Sequence, residues 1–384
     1  MNPMLPAPTA DALAHSRRMA DHLRSLIREA GGWVPFSRFM DAALYAPGLG
    51  YYAAGATKFG AAGDFVTAPE LTPLFGRTLA HAIAPVLAGT GGEVLELGAG
   101  SGRLAADVLG ELERHDALPQ RYAILDLSAD LRERQRETLE RTVPHLAGRV
   151  AWLYALPARF TGVILGNEVF DALPVEVVHW TDAGPQARGV VAADDCFAWQ
   201  DRAIADPVLR ARAEALDLVP DYVSEINLAA DALVASLAAC LDRGLVLMID
   251  YGFAAREYYH PQRHMGTLRA HYRHHALDDP FYLPGLCDLT AHVDFSAVAQ
   301  AGMAAGLTLA GFTSQAGFLL NSGLTELLMQ TPPADAAAYL PQANAVQRLV
   351  SPAEMGELFK VIGLSKGEVP PLAGFARGNR LHTL

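Results

Sequence analysis

A glycine-rich bend between a strand and a helix constrains the fold of this chain more than any other feature of its sequence. Residues 94–97 form a short apolar run, Gly98, Gly100 and Gly102 follow it, and residues 103–112 have the pattern of a helix. In this order, glycines allow a tight turn, let a ligand approach the backbone and let the helix pack closely. The free N–H groups at the start of the helix would face the ligand. The bend therefore predicts a parallel α/β sheet with a ligand site at the end of one strand.

Short apolar runs and helical stretches alternate after residue 93, as they do when crossover helices connect parallel strands. We predict strands at residues 94–97, 122–125, 162–165, 245–249, 307–312 and 359–364. Together they indicate the α/β fold class, with a Rossmann-like doubly wound sheet, an N-terminal helical cap and insertions.

No linker rich in glycine or serine divides the chain, so we predict one interwoven unit rather than separable domains. Its predicted regions are residues 1–90 (N-terminal helical cap), 91–174 (first half of the core), 175–243 (insertion) and 244–384 (second half of the core, with substrate-site loops and a helical insertion).

The cap and the insertion have recognisable elements of their own. In the cap we predict helices near residues 12–30 and 36–44, and a third that begins after Thr72, an N-cap residue followed by proline. The insertion is predicted to contain a small antiparallel meander at residues 175–180, 188–192 and 197–200, then helices near 207–216 and 227–242.

The composition narrows the choice of partners and compartments. With 30 Lys and Arg against 42 Asp and Glu, the net charge of −12 disfavours binding to a nucleic acid or an anionic membrane. No apolar run approaches the ~20 residues of a transmembrane helix, and the first residues lack the order of a secretory signal. The three cysteines lie far apart, which argues for a reducing compartment. We expect a soluble cytoplasmic protein, in the mitochondrial matrix if the source is eukaryotic, and a homodimer fits the sequence.

The spacing of the glycines distinguishes between nucleotide cofactors. Dinucleotide-binding enzymes need a small residue three positions after Gly100, but this chain has Arg103 there. The observed order, with Glu96 two residues before Gly98 and glycines at every second position, resembles the first motif of class I methyltransferases. That resemblance implies S-adenosyl-L-methionine as cofactor, with Glu96 facing its cationic amino-acid end. A bend that only connects the strand to the helix is the alternative.

A carboxylate ends the second predicted strand. Asp126 follows the glycines by about 25 residues, the position from which a carboxylate accepts hydrogen bonds from both ribose hydroxyls. Dinucleotide enzymes share such a residue, so Asp126 alone does not identify the cofactor. Its alternative role is to cap the helix that begins near Ser128.

Polar residues also follow the third predicted strand, at the strand end where open α/β sheets bind ligands. Glu168 and Asp171 are our candidates for catalysis, because carboxylates clamp a planar guanidinium, orient its nitrogen and take up its proton. The alternative is that Asn167 or Asp171 caps a following helix.

Longer motifs run through nearly the whole chain. They occur at residues 39–45, 50–52, 63–70 (GDFVTAPE), 74–76, 96–102, 122–128, 167–174 (NEVFDALP), 249–252, 266–268, 284–285, 288–295 (DLTAHVDF) and 315–319. In these motifs the chain resembles the MidA family, whose eukaryotic members are mitochondrial complex I assembly factors acting as protein arginine methyltransferases. The resemblance implies transfer from S-adenosylmethionine to an arginine of a protein partner, such as a complex I subunit. Two departures, Ala99 for the usual proline and Asp126 for the usual glutamate, preserve the chemistry.

The resemblance also implies that the segment around Thr67 folds over the cofactor. From the residues alone, Thr67 is only the position at which a helix begins. The predicted cofactor-binding residues are Thr67, Glu96, Gly98, Ala99, Gly100, Gly102, Asp126, Leu127 and Asn167. The predicted substrate-binding residues are Glu70, Asp250, Tyr251 and His292. A small-molecule methyltransferase, a non-catalytic assembly factor and a dinucleotide oxidoreductase are the alternatives.

Five histidines crowd one stretch without forming a recognisable metal motif. They are His260, His264, His271, His274 and His275, with few carboxylates and no thiolate nearby. We predict no metal site and interpret the stretch as a polar loop. His292 and Asp294 share a face if their segment is extended, which allows either a role towards the acceptor or a structural hydrogen bond.

Overall fold

The computed structural model of the chain describes residues 5–53, 67–194 and 196–384. The chain forms two compact units, each made of three segments. Unit 1 comprises Met1–Phe65, Phe170–Ala230 and Arg256–Val293, and unit 2 comprises Val66–Val169, Asp231–Ala255 and Asp294–Leu384. The division into four regions stays a prediction. Of the motif at 63–70, residues 63–66 lie outside the described part of the chain.

The helices agree with the sequence pattern. They are α1 (Ala10–Glu29), α2 (Phe36–Tyr45), α3 (Ala68–Leu71), α4 (Pro73–Thr90), α5 (Arg103–Arg114), α6 (Ala129–Thr142), α7 (Pro207–Ala215), α8 (Leu228–Cys240), α9 (Ala255–Tyr258), α10 (Phe295–Ala304), α11 (Gln315–Asn321), α12 (Leu324–Leu328), α13 (Ala336–Val350) and α14 (Met355–Leu358). The predictions for α1, α2, α4, α5, α7 and α8 are confirmed to within a few residues. Within the described ranges, no helix combines the length and apolarity that a membrane span requires.

The strands fall into separate sheets. They are β1 (Val34–Pro35), β2 (Glu93–Leu97), β3 (Tyr122–Leu125), β4 (Val150–Leu153), β5 (Phe160–Asn167), β6 (Glu176–Thr181), β7 (Gly184–Ala193), β8 (Cys196–Ala203), β9 (Tyr222–Ile226), β10 (Leu241–Phe253), β11 (Arg269–Tyr272), β12 (His275–Leu277), β13 (Asp288–Thr290), β14 (Val293–Asp294), β15 (Thr308–Ser314) and β16 (Phe359–Lys366). All six predicted core strands and the predicted meander are confirmed. We did not predict β4, because only Val150 of its side chains is buried.

Unit 2 is built on a sheet with the strand order β15-β16-β10-β5-β2-β3-β4. Strands β10, β5, β2, β3 and β4 are parallel, while β16 runs antiparallel to both of its neighbours, β10 and β15. The chain passes from β2 outward to β3 and β4, then returns to β5 on the other side of β2. This reversal is the switch point at which open α/β sheets bind ligands, so the predicted fold class and the position of the glycine bend agree.

Helix α4 covers this sheet together with α5. Thr72 Oγ1 accepts a hydrogen bond from the N–H of Leu74 at 3.3 Å, and proline occupies the first helical position. Phe75, Leu79 and Ile83, which recur at helical spacing, are completely buried. Such burial contributes about 1.5–3 kcal/mol for each large apolar side chain.

Unit 1 contains two antiparallel sheets. Its larger sheet has the order β1-β7-β6-β9, with β8 paired to β7, and its smaller sheet has the order β12-β11-β13. The apolar face of α1, with Met19, Leu23 and Ile27 buried, belongs to the core of this unit. The interpretation of residues 15–30 as a structural helix is therefore confirmed.

The contact between α4 and α5 depends on one glycine. A Cβ atom on Gly76 would lie 2.7 Å from Asp107 Cβ and 3.3 Å from Leu104 Cδ1, whereas one on Gly89 of the same helix would meet only Pro370 Cδ at 3.6 Å. We expect Gly76→Ala to lower the free energy of unfolding by about 1–3 kcal/mol through overpacking. The matched variant Gly89→Ala should raise it by up to about 1 kcal/mol through helix propensity. Urea denaturation followed by circular dichroism checks both, and equal effects of the two variants would contradict this account of the contact.

Candidate functional site

The glycine bend at the end of β2 is open towards a ligand on one side and closely packed on the other. Gly98, Gly100 and Gly102 have φ values of 60°, 52° and 82°, which favour glycine. A Cβ on Gly102 would lie 2.9 Å from the Cα of Gln135. A Cβ on Gly98 would meet only Val169 Cγ2 at 3.9 Å, and no described atom lies within 4 Å of one on Gly100. The bend thus has free space beside Gly98 and Gly100.

Glu96 is a buried carboxylate just before the bend. Only 2% of the residue is exposed, and Glu96 Oε2 accepts a hydrogen bond from the Tyr122 hydroxyl at 2.6 Å. Burial raises the pKa of Glu96 to about 7, with the Tyr122 hydrogen bond acting against that rise and the charge of Asp126 adding to it. An isolated buried carboxylate is costly, so this position favours a cationic partner.

Asp126 is held by two donors at the end of β3. Its Oδ1 accepts from the N–H of Ser128 at 2.9 Å, and its Oδ2 accepts from Gln135 Nε2 at 2.7 Å. Burial raises its pKa above the ordinary value despite these bonds. The cap of α6 is Ser128, whose Oγ accepts from the N–H of Leu131, so the interpretation of Asp126 as the helix cap is wrong. Leu127, the next residue, is 77% exposed and leaves an apolar surface beside the carboxylate.

Gln135 joins several parts of this region. Its Nε2 also donates to the carbonyl oxygen of Gly100 at 3.2 Å, and its Oε1 accepts from the indole N–H of Trp152 at 2.9 Å. The amide therefore connects the glycine bend to Asp126. Gln135 was not among the predicted site residues, since a glutamine within a polar helix carries no distinguishing signal.

The short helix α3 is fastened to the glycine bend. The Ser101 hydroxyl donates to Glu70 Oε1, and Ser101 Oγ accepts from the N–H of Arg103 at 3.3 Å. Thr67 stands at the N-cap position of α3 but its side chain makes no capping hydrogen bond. Glu70, predicted to bind the acceptor, thus contacts the loop predicted to bind the cofactor.

The end of β5 carries an unsatisfied oxygen and a strained residue. Asn167 Nδ2 donates to Glu168 Oε1 at 2.9 Å, while the buried Asn167 Oδ1 has no hydrogen-bond partner among the described residues. Glu168 has φ 54°, a left-handed conformation that few side chains adopt, and its N–H donates to the carbonyl oxygen of Ile249 at 2.9 Å. Residues 168–175 form turns and bends that lead into β6. The interpretation of Asn167 or Asp171 as a helix cap is therefore wrong.

Asp250 braces the turn that begins at Glu168. It is completely buried, its Oδ2 accepts from the N–H of Val169 at 3.1 Å, and its Oδ1 accepts from the N–H of Tyr251 at 2.9 Å. The ring of Tyr251 packs edge-on against Phe359 at 5.4 Å between centroids. Both residues were predicted to bind substrate; the structure shows Asp250 engaged with the backbone.

Asp171 belongs to unit 1, where its buried carboxylate and that of Asp288 lie near the partly exposed side chains of Tyr45 and Tyr52. The Tyr52 hydroxyl donates to Asp288 Oδ2 at 2.9 Å, and the rings of Tyr45 and Tyr52 stack with centroids 5.5 Å apart. Burial first, and then the charges of Asp288 and Asp171, raise the pKa of both hydroxyls far above the ordinary value. Tyr45, Tyr52 and Asp288 occur in the family motifs, but of this cluster we predicted a site role only for Asp171, because residues more than 100 positions apart give no common pattern.

His292, also in unit 1, is anchored through its backbone. Its N–H donates to Thr267 Oγ1 at 3.0 Å, and Thr267 in turn donates to the buried carboxylate of Glu225. Asp294 lies in unit 2, where its carboxylate caps α10 by accepting from the N–H groups at its start. Of the two roles predicted for Asp294, the structure shows the structural hydrogen bond.

Two of the five histidines that crowd residues 260–275 contact neighbouring residues. His260 Nδ1 accepts from the N–H of Gln262 at 3.2 Å, and His271 Nε2 lies 3.1 Å from Thr290 Oγ1. Within the described ranges, the grouping of His and carboxylate atoms close enough to hold a metal is His81, Glu111 and His115. We did not predict this group, because His81 lies on α4, whereas Glu111 and His115 lie on and directly after α5.

A family model described as S-adenosyl-L-methionine-dependent methyltransferase matches residues 78–313, which is more than half of the chain. The chain belongs to this family. S-Adenosylmethionine (SAM) is accordingly its cofactor.

Solved structures and curated relatives agree with this assignment. A protein from Burkholderia thailandensis, crystallised with S-adenosylhomocysteine bound, is 53% identical, with a TM-score of 0.96 over 99% of this chain and 100% of its own. A mitochondrial protein of Drosophila melanogaster, named protein arginine methyltransferase NDUFAF7 homolog, is 28% identical over 98% of this chain and 93% of its own length. The NDUFAF7 protein of Homo sapiens, with the same activity in its name, is 28% identical over 90% and 83%.

Three observations in unit 2 are compatible with a bound SAM molecule. Space is free beside Gly98 and Gly100, an apolar side chain is exposed at Leu127, and the buried Asn167 Oδ1 has no partner among the described residues. An unsatisfied buried acceptor and an open backbone bend are features that a polar nucleoside ligand uses. The residues present therefore fit the cofactor of the family.

The raised pKa of Glu96 makes the stability of the ligand-free protein depend on pH. The folded state keeps this proton up to about pH 7, whereas the unfolded chain releases it near the ordinary value of 4.5. Stability is therefore lost as pH rises between these values, by about 3 kcal/mol in total. We expect Glu96→Gln to match the wild type near pH 4.5 and to be more stable by up to about that amount at pH 8.

Urea denaturation at several pH values measures this difference. Glu93→Gln on the same strand removes only the surface ion pair with Arg121, so it should not gain stability over the same range. A gain for Glu96→Gln that is independent of pH would contradict the assignment of the shift to Glu96.

Proposed function

We propose that this methyltransferase transfers a methyl group from SAM to an arginine side chain of a partner protein. The relatives from Drosophila melanogaster and Homo sapiens carry this activity in their names and align with at least 90% of the chain. The observation that carries the proposal is the carboxylate of Glu168, held in a left-handed turn at the carboxyl end of β5. The acceptor protein, the cytoplasmic location and the homodimer stay predictions from the sequence.

In this proposal unit 2 binds the cofactor through the residues predicted from sequence. Glu96 and Asp126 take the ammonium end and the ribose, the ligand approaches the backbone of the glycine bend, and Leu127 covers the adenine. Asn167 Oδ1 accepts one further hydrogen bond. The proposed cofactor-binding residues are Thr67, Glu96, Gly98, Ala99, Gly100, Gly102, Asp126, Leu127 and Asn167.

The acceptor requires carboxylates because an arginine guanidinium is protonated at neutral pH and has no free nucleophilic pair. SAM supplies an electrophilic methyl group on its sulfonium. We assign to Glu168 and Asp171 the tasks of binding the guanidinium, orienting one nitrogen and taking up the proton that this nitrogen loses. Asn167 positions Glu168 by its 2.9 Å hydrogen bond, and Asp250 positions the following turn.

The remaining predicted substrate residues have positioning contacts in the structure. Glu70 contacts Ser101, Tyr251 packs against Phe359, and His292 is anchored by Thr267. Contact of Glu70, Tyr251 and His292 with the acceptor remains part of the proposal.

Substitutions at two glycines with the same φ distinguish a loss of cofactor binding from an effect of backbone strain. Gly98 and Gly91 share a φ of 60°, so valine strains both backbones by about 1–3 kcal/mol. Only at Gly98 would the side chain also enter the proposed cofactor space. We expect Gly98→Val to weaken S-adenosylhomocysteine binding by roughly 100-fold or more, with Gly91→Val binding as the wild type. Calorimetric titration below both melting temperatures measures this, and equal affinities would count against the bend as the cofactor site.

The proposed reaction is tested with isotopically labelled SAM, cell extract and mass spectrometry. We expect labelled methylarginine in protein with the wild type, and a turnover lower by about 10²–10⁴ with Glu168→Gln. Because Glu168 acts on the acceptor, the affinity of this variant for S-adenosylhomocysteine should stay within about threefold of the wild type.

Other outcomes of this experiment would contradict the proposal in different ways. Label that appears only in small molecules would favour a small-molecule methyltransferase. Normal S-adenosylhomocysteine binding without any transferred label would favour a non-catalytic assembly factor.

A further inference from the structure

Three side chains of unit 2, on α4, on α5 and directly after α5, converge on one point that the methyl transfer does not use. His81 lies on α4, Glu111 lies on α5 and His115 directly follows α5. His81 Nε2 is 2.9 Å from Glu111 Oε1 and 3.2 Å from His115 Nε2, and His115 Nε2 is 3.3 Å from Glu111 Oε1. All three donor atoms therefore lie within 3.3 Å of one another.

We propose that His81, Glu111 and His115 bind a late first-row divalent cation, of which zinc is the representative. Imidazole nitrogens and carboxylate oxygens bind zinc at about 2.0–2.2 Å. Donors at that distance and at octahedral or tetrahedral angles are separated by about 2.8–3.6 Å. The three observed separations match this spacing closely, so the side chains need little movement to take up the ion.

Protons alone do not satisfy this arrangement. If only one imidazole carries a proton on Nε2, the lone pair of the other faces Glu111 Oε1. If both carry one, two donors compete for Glu111 Oε1 with their nitrogens only 3.2 Å apart. A hydrogen-bond network therefore leaves the contact between the two imidazole nitrogens poorly satisfied. A cation attracts all three donors at once, which is why the geometry favours a metal over a hydrogen-bond network.

The carboxylate of Glu111 is oriented from its other side. Glu111 Oε2 accepts from Arg77 Nε at 2.6 Å and from Arg114 at 2.7 Å, and Arg77 also donates to Gln330 Oε1 at 2.6 Å. Hydrogen bonds of this kind fix the orientation of a ligating carboxylate. The same two guanidinium groups repel a dication, so binding should be weaker than in a closed four-ligand zinc site.

The exposure of the three side chains determines which further ligands can complete the coordination of the ion. The side chain of Glu111 is 1% exposed, while that of His115 is 53% exposed. Solvent can therefore occupy the remaining positions of the ion. Because an ion bound here would join α4 to α5 in the folded state only, it should stabilise unit 2.

The test uses the full chain without an affinity tag, first treated with a chelator. Zinc is titrated in competition with a chromophoric indicator, and melting temperatures are recorded with and without the ion. We expect one equivalent of zinc per chain and a melting temperature that rises with zinc, falls back on chelation and does not respond to magnesium. X-ray absorption should show two imidazole nitrogens and a carboxylate oxygen.

Variants identify the ligands. His115→Gln and His81→Gln should each weaken zinc binding at least tenfold, and the half-exposed His115 makes its variant the safer one for folding. The matched control is His145→Gln, since His145 forms a comparable pair with Glu113 at 2.9 Å on the same unit. Unchanged binding of S-adenosylhomocysteine shows that each variant is folded.

Two results would overturn the proposal. One is the absence of saturable zinc binding by the wild type. The other is wild-type affinity in His115→Gln and His81→Gln, which would show that others of the 13 histidines hold the ion.

Discussion

The close approach of Gly102 to the backbone of Gln135 sets the geometry on which the site in unit 2 depends. A side chain at Gly102 would lie 2.9 Å from the Cα of Gln135, so only glycine allows α5 and α6 to approach this far. At that distance the amide of Gln135 reaches both the carbonyl of Gly100 and the carboxylate of Asp126. The bend after β2 and the carboxylate after β3 thus form one hydrogen-bonded structure, which neither strand could build alone.

Several features of this structure lower stability and are compatible with a ligand. Glu96 and Asp126 are both buried enough for their pKa values to rise, Asn167 Oδ1 is buried and unsatisfied within the described residues, and Glu168 is strained. Proteins concentrate such costs where they bind ligands or carry out chemistry. Their accumulation at the ends of β2, β3 and β5 distinguishes this edge of the sheet from the core below it, where apolar side chains are simply buried.

Much of the fold follows from local patterns, whereas the site follows only in part. The apolar runs identified six core strands, and the glycine spacing located the bend, because both signals lie within a few residues. β4 was not predicted because its edge position leaves all of its side chains except Val150 partly exposed. The capping interpretations for Asp126, Asn167 and Asp171 failed because a cap depends on where the next helix starts, and β6 rather than a helix follows Asp171. The tyrosine cluster of unit 1 and the pairing of His81 with His115 depend on chain segments brought together by folding.

The place of β16 in the sheet has a bearing on biosynthesis. β16 follows β15 in sequence but lies between β15 and β10, and it hydrogen-bonds to both. Until residues 359–366 have left the ribosome, β10 keeps an unpaired edge and β15 has no neighbour in this sheet. An exposed strand edge invites pairing with other chains, so the nascent protein passes through an aggregation-prone stage that ends only when its last strand inserts.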